Sequence, residues 1–288
     1  MNNKKLIIGT ANFSNHYGTF NQTNVSKLEL DKIFKYLEKS KINFLDTAIS
    51  YKGCDKVLGR YNLKKFNIIS KIINYPETNL TQDFLVNKFK QSLDNLKLDR
   101  IYSMLLHNPT NSLSLDSNIY YDFLNYLKNK SIIKKIGISV YSPEELEFCL
   151  NKIEPDLVQI PINIFDNRFI KSGLIDKLKS KNIEIHGRSI FLQGILARNI
   201  WPKYFNPWKN KVEDFQHELN KIEISSTQAC ISYVNGIKYL DGIILGIDTL
   251  NQLKQYMDML KLNINLDYFL KKFSIDDEKF VNPSMWTK

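Results

Sequence analysis

A chain of 288 residues with 43% hydrophobic and 24% charged side chains has material for a sizeable core, which excludes an extended disordered polymer. Lys and Arg outnumber Asp and Glu by 40 to 30, giving a net charge of +10, but the cations are scattered over polar helix faces; this describes a basic surface and argues against a nucleic-acid groove. No apolar run reaches the roughly 20 residues that span a bilayer, MNNKKLIIGT lacks the body of a signal peptide, and Cys54, Cys149 and Cys230 form no C-x-x-C pair, so a reduced cytoplasmic protein with no membrane segment and no metal site is expected.

In chain order, short apolar runs fall at 6–10, 42–46, 67–71, 101–107, 133–139, 156–160, 183–189 and 241–246. Amphipathic segments with i, i+3, i+4 spacing lie between them, among them LELDKIFKYLEKS, TQDFLVNKFKQSLDNL, PEELEFCLNKI and LNQLKQYMDML. Ser26 and Thr81 are candidate caps, and Ser142-Pro143-Glu144-Glu145 puts proline at a first helical position with carboxylates in the first turn. Eight strand-like runs, each followed by a helix-like one, predict parallel pairing through right-handed crossovers and a closed (β/α)8 TIM barrel, an α/β fold. With no linker or low-complexity stretch to divide it, residues 1–288 are expected to form a single barrel domain. Residues 190 to about 220, containing WPKYFNPWK, show little regular period and predict a long loop after strand seven, placed to lie across a bound molecule.

Catalytic groups in such barrels sit at the carboxyl ends of strands, so polar residues closing these runs are the ones to weigh. Run two ends in Asp46, with Tyr51 in the loop beyond; run three ends in Lys71 and run four in His107. Singly, each has an ordinary reading: Asp46 as a helix cap, Tyr51 as a half-buried aromatic, Lys71 and His107 as satisfied polar groups. Together the pattern D-T-A-x-x-Y, a strand ending in Lys and a strand ending in His resembles the aldo-keto reductases. The resemblance runs from GTANFSNHYG to LGIDTLNQL and includes KKIGISVYS, DLVQIPINIFDNR and GRSIFLQGIL.

This resemblance implies reduction of an aldehyde or ketone by hydride from a nicotinamide dinucleotide, which supplies chemistry no side chain performs. Tyr51 would be the general acid, Lys71 and Asp46 would tune it by lowering the phenol pKa, and His107 would polarise the carbonyl. Ser139 and Gln159 would hold the nicotinamide carboxamide, with Asn163 facing the same pocket and Val140 standing where many relatives have Asn. Arg188 replaces a stacking Tyr, and its planar guanidinium can stack as well; the alternative is a barrel-mouth arginine paired with a carboxylate. Ser189, Leu192, Gln193 and Gly194 would cradle the pyrophosphate, glycine allowing close backbone approach.

Beyond strand eight come Gly246, Asp248, Gln252 and Gln255, where NADP-preferring members carry cations; only Lys254 is nearby. The resemblance favours NADP(H), these residues weaken that preference, and NAD(H) stays open. An extended first loop would put His16 and Tyr17 at the barrel mouth as substrate contacts, with His16 equally readable as a surface residue; Asn-rich segments around Asn12, Asn15 and Asn163 lean towards a sugar-like carbonyl, and Cys54, near the site, reads as a small apolar filler. The competing reading is a protein with the same fold and bound nucleotide whose task is regulation or partner binding.

Overall fold

In the computed structural model, which describes residues 4–14, 24–76, 80–114, 118–262, 264 and 266–286, eight parallel strands close into a barrel in sequence order. They are β1 (Lys5–Gly9), β2 (Phe44–Asp46), β3 (Asn67–Ile72), β4 (Ile101–Leu106), β5 (Ile133–Ser139), β6 (Leu157–Pro161), β7 (Glu184–Arg188) and β8 (Gly242–Gly246). Closure is through β1 and β8, with Ile7 opposite Ile244. Each strand is covered on both faces, which is why its sequence is a short continuous apolar run instead of an alternating one. Inside the barrel, Ile7, Phe44, Ile69, Leu105 and Leu157 form their own apolar layer, separate from the larger core between strands and helices. Packing between strands is tight: a Cβ on Gly137 would lie 2.7 Å from Leu105 Cγ and 2.8 Å from the Leu157 carbonyl.

The expected caps hold. Ser26, Thr81 and Ser142 accept from the backbone N–H groups of Glu29, Phe84 and Glu145, opening the helices Lys27–Lys39, Gln82–Leu96 and Pro143–Leu150. Helix Lys27–Lys39 turns Leu30, Ile33, Phe34 and Leu37 onto the barrel, each burial worth about 1.5–3 kcal/mol. Among the described residues, no helix is long and apolar enough to cross a membrane.

The segment after β7 departs from the expected long loop. It contains a short helix Ile195–Arg198, a 3-10 helix Lys203–Trp208 and a 13-residue helix Lys209–Lys221. That last helix buries only Val212, Phe215 and Leu219, so its apolar stripe is narrow and easily read as irregular. WPKYFNPWK packs against the chain's C-terminal part. Phe205 and Trp208 lie 5.2 and 5.4 Å, centroid to centroid, from Phe280, and Trp201 lies 5.8 Å from Phe165. The part of this connection that faces the barrel mouth is residues 189–198.

Candidate active site

The carboxyl ends of the strands converge on a cavity of about 390 Å³ whose wall includes Asp46, Tyr51, Lys71, His107, Ser139 and Arg188. Asp46 closes β2 and Lys71 lies on the adjacent β3. Lys71 is 2% exposed and Asp46 4%, so the charges meet away from water. Lys71 Nζ donates to Asp46 Oδ1 at 2.5 Å and to the Thr47 carbonyl at 2.8 Å, and Gln159 Nε2 from β6 donates to Asp46 Oδ2 at 2.6 Å. A buried pair of this kind persists only when its remaining hydrogen-bonding capacity is met, and both carboxylate oxygens are.

Tyr51 is placed by the loop after β2. Thr47 and Ile49 donate backbone N–H groups to Ile69 and Lys71 of β3, and turns at Tyr51 N to Ala48 O and Cys54 N to Tyr51 O then reverse the chain. Gly53, at φ 78°, supplies the left-handed residue that the second turn needs. Lys71 Nζ consequently lies 5.5 Å from the centre of the Tyr51 ring. His107 follows β4 directly, its backbone N–H donating to Ile72 O. Its ring meets Tyr51 edge-on at 6.1 Å and 78°, and Nδ1 lies 3.3 Å from Ser50 Oγ.

The electrostatics correct one expectation. The Tyr51 phenol is pushed above its ordinary value, chiefly by burial and then by the Asp46 charge, with Arg188 pulling the other way. The Lys71 ammonium itself is paired with Asp46. His107 is lowered to about 3, first by burial and then by Lys71 and Arg188, so the imidazole is neutral at neutral pH.

Arg188, last in β7, is held by three neutral acceptors: Nε donates to Ser139 Oγ at 3.2 Å, one terminal nitrogen to Ser189 Oγ at 3.1 Å, the other to the Val140 carbonyl at 2.8 Å. Its Cζ sits 4.2 Å from the centre of the Tyr141 ring. Beyond it the backbone is left-handed at Ser189, Leu192, Gln193 and Gly194, a local strain of the kind that gathers at binding loops. Ser189, Gln193 and Gly194 line the cavity; Leu192 is fully buried with its side chain in the core, so only its backbone can serve a ligand. Gly246, Asp248, Gln252 and Gln255 line the far wall. There Asn12 donates to the Ile247 carbonyl at 2.8 Å and to the Asp248 carboxylate, and Gln252 Oε1 accepts from the Asp248 N–H at 2.7 Å.

Other expectations shift. Asn163 does not line the cavity; its amide donates to Ser189 O at 3.4 Å and accepts from Phe165 N at 3.0 Å, bracing the loop. Lys254 lies over Tyr36, 5.7 Å from the ring centre, and is absent from the cavity wall. Cys54 is buried and donates to the Thr10 carbonyl, a small core residue. His16, Tyr17 and Asn15 lie outside the described residues. The sequence reading missed Tyr141, Phe191, Arg198, Ser225 and Thr227, all on the cavity wall. Tyr141 had a usable signal, two residues past the end of β5; Ser225 and Thr227 sit at the capped start of helix Ser226–Gly236, which the same rule of strand ends does not reach.

Known proteins resemble this chain at several levels. The chain is 25% identical over 204 residues to "Oxidoreductase sirO" of Leptosphaeria maculans, covering 66% of this chain and 60% of the relative. It is 30% identical over 134 residues to the chloroplastic pyridoxal reductase of Arabidopsis thaliana, covering 41% and 36%. These matches thus span less than two thirds of either curated relative. Among solved structures, aldo-keto reductase AKR11C1 from Bacillus halodurans superposes with a TM-score of 0.76 at 16% identity, covering 95% of this chain and 93% of the other. The thermostable aldo-keto reductase Tm1743, solved with the inhibitor epalrestat, gives 0.69 at 16% identity, with 92% of each covered. At such identities the structures speak for the fold, but the aldo/keto reductase family model matches residues 5–270, and on that match the chain belongs to the aldo/keto reductase family.

Proposed function

We propose that this protein reduces an aldehyde or ketone to an alcohol with hydride from a nicotinamide dinucleotide, Tyr51 giving the proton. The observation that carries this reading is the meeting of Tyr51, the Asp46–Lys71 pair and His107 on one cavity wall at the strand ends.

The residues present fit the nucleotide. Gln159, fully buried, is not itself on the cavity wall, but its Oε1 has no hydrogen-bond partner among the described residues, and Ser139 beside it, which is on the wall, keeps a hydroxyl hydrogen to give. A carboxamide, with two donors and an acceptor, matches that pair. The left-handed Gln193-Gly194 backbone suits a pyrophosphate, and at Gly246 the space a Cβ would enter is open to a sugar. When bound, the dinucleotide supplies the hydride.

The protein's own groups handle the proton and the carbonyl oxygen. A phenol held above its ordinary pKa stays protonated at neutral pH and is ready to give its hydrogen to a developing alkoxide. In neutral His107 the tautomer in which Nδ1 accepts from Ser50 Oγ puts the hydrogen on Nε2, where it can be donated to the substrate carbonyl; that is the tautomer this reading requires. Lys71 and Asp46 fix the floor of the site and leave no net charge there to pull Tyr51 into the phenolate form.

The test is fluorescence titration with NADPH and NADH, followed by a carbonyl panel read as nucleotide oxidation. Sugar-like aldehydes belong in the panel because the cavity wall is rich in hydroxyl and amide groups, and pyridoxal because of the Arabidopsis relative. Binding without turnover of any carbonyl would move the protein to the regulatory reading.

A further inference from the structure

Arg188 places a positive charge in the cavity that no carboxylate among the described residues pairs. Its hydrogen bonds go to two hydroxyls and a carbonyl, its flat face goes to Tyr141, and among the described residues no carboxylate stands within ion-pair distance. Asp166, whose buried carboxylate feels the same charge from further off, is committed to Arg168 at 3.0 Å. The Lys71 ammonium is matched by Asp46, and Asp248 at the far wall by an amide of Asn12. The guanidinium also reaches the catalytic pair electrostatically, acting on both Tyr51 and His107.

The position of that charge matters because of one contact. Ser139 Oγ, which accepts from Arg188 Nε, is the hydroxyl assigned above to the carboxamide, so a ring held by Ser139 and Gln159 has the guanidinium as its neighbour. The oxidised nicotinamide is a pyridinium cation; the reduced ring is neutral and electron-rich. Two cations at close range repel, whereas a neutral aromatic ring beside a guanidinium is attracted.

We propose that Arg188 is a redox-state selector, making the protein bind the reduced dinucleotide in preference to the oxidised one. This rests on the nucleotide reading above and deepens it. It gives the site a direction: oxidised product leaves readily and inhibits weakly, so carbonyl reduction continues where oxidised nucleotide accumulates.

The experiment measures dissociation constants for NADPH, NADP+, NADH and NAD+ by calorimetry on the wild type, Arg188→Met and Arg188→Lys. The expected wild-type result is at least tenfold tighter binding of the reduced form, about 1.4 kcal/mol. Arg188→Met should shrink that ratio about fivefold or more, mainly by tightening the oxidised form, while Arg188→Lys keeps most of it. Equal wild-type affinities for the two redox forms would overturn the proposal, as would an unchanged ratio in a folded Arg188→Met protein that still binds both, and in either case the nucleotide reading would stand. Failure of the wild type to bind any of the four would remove both together.

Discussion

Lys71 and Asp46 form a buried ion pair across neighbouring strands, 2.5 Å from nitrogen to oxygen, with Gln159 closing the second carboxylate oxygen from the other side of the barrel. Removing one partner strands the other charge in a low-dielectric site. Lys71→Met should therefore cost about 3–5 kcal/mol in urea denaturation, and the double variant Asp46→Asn/Lys71→Met should recover much of it. Turnover should recover in neither. A double variant no more stable than Lys71→Met alone would show that the pair is not the source of the loss.

Tyr51 and His107 are both held in single protonation states, the phenol protonated and the imidazole neutral. Tyr51→Phe keeps the ring and its packing while removing the hydrogen, so carbonyl reduction should fall about 10²–10⁴-fold with nucleotide affinity nearly unchanged. Since neither group titrates near neutrality, kcat for reduction in the wild type should be flat from about pH 5 to pH 9. A steep fall near pH 6.5 would mean that His107 works as an imidazolium.

The barrel was legible because a strand covered on both faces has no choice but to be a short apolar run, and each run lies where the structure has a strand, to within one or two residues at an end. Asp46, Lys71 and His107 were legible for a related reason, since polar side chains at the ends of such runs face the barrel mouth; Tyr51, in the loop beyond β2, was legible through the D-T-A-x-x-Y resemblance. What the sequence concealed depends on partners distant in the chain. Gln159 reaches Asp46 across 113 positions, Asn12 reaches Asp248 across 236, and neither link has a local pattern. The upward direction of Tyr51 was hidden because its largest cause, burial of the phenol under residues distant in the chain, leaves no local mark in the sequence, and the Asp46 charge adds to it. Helix Lys209–Lys221 was missed because three buried residues in thirteen leave a faint period beside a cluster of aromatics and prolines.

Asp55 gives the protein a pH dependence of its own. Its carboxyl is buried, accepts one hydrogen bond from Ser92 at 2.6 Å and is raised to about 6 by desolvation. A carboxyl raised on folding favours the native state while protonated, so its contribution is whole below about pH 4 and is lost as pH rises through about 6. His107 has the opposite sign: depressed on folding, it contributes fully above about pH 6.5 and loses that as pH falls towards 3. Asp55→Asn should thus stabilise the protein by up to about 3 kcal/mol at pH 8 and hardly at all at pH 4, measured by denaturant titration at both. An equal change at the two pH values would refute the assignment.

Asp248 should decide between the two dinucleotides. They differ by a phosphate on the adenosine ribose, and the far wall of the cavity offers that group a carboxylate, two glutamines and the capped start of helix Leu250–Met259. Lys254, the cation nearest in sequence, is turned to Tyr36. Asn12 holds the Asp248 carboxylate and Gln252 holds its backbone, so the charge is fixed in place and cannot swing away from an incoming phosphate. Asp248→Asn removes the charge while keeping an acceptor for Asn12. The ratio of NADPH to NADH affinity should then rise by about threefold or more at low salt, and the gain should fade as ionic strength increases because like-charge repulsion at an accessible wall is screened. If the ratio is indifferent to both the substitution and the salt, the ribose phosphate lies elsewhere and Asp248 serves only to hold Asn12.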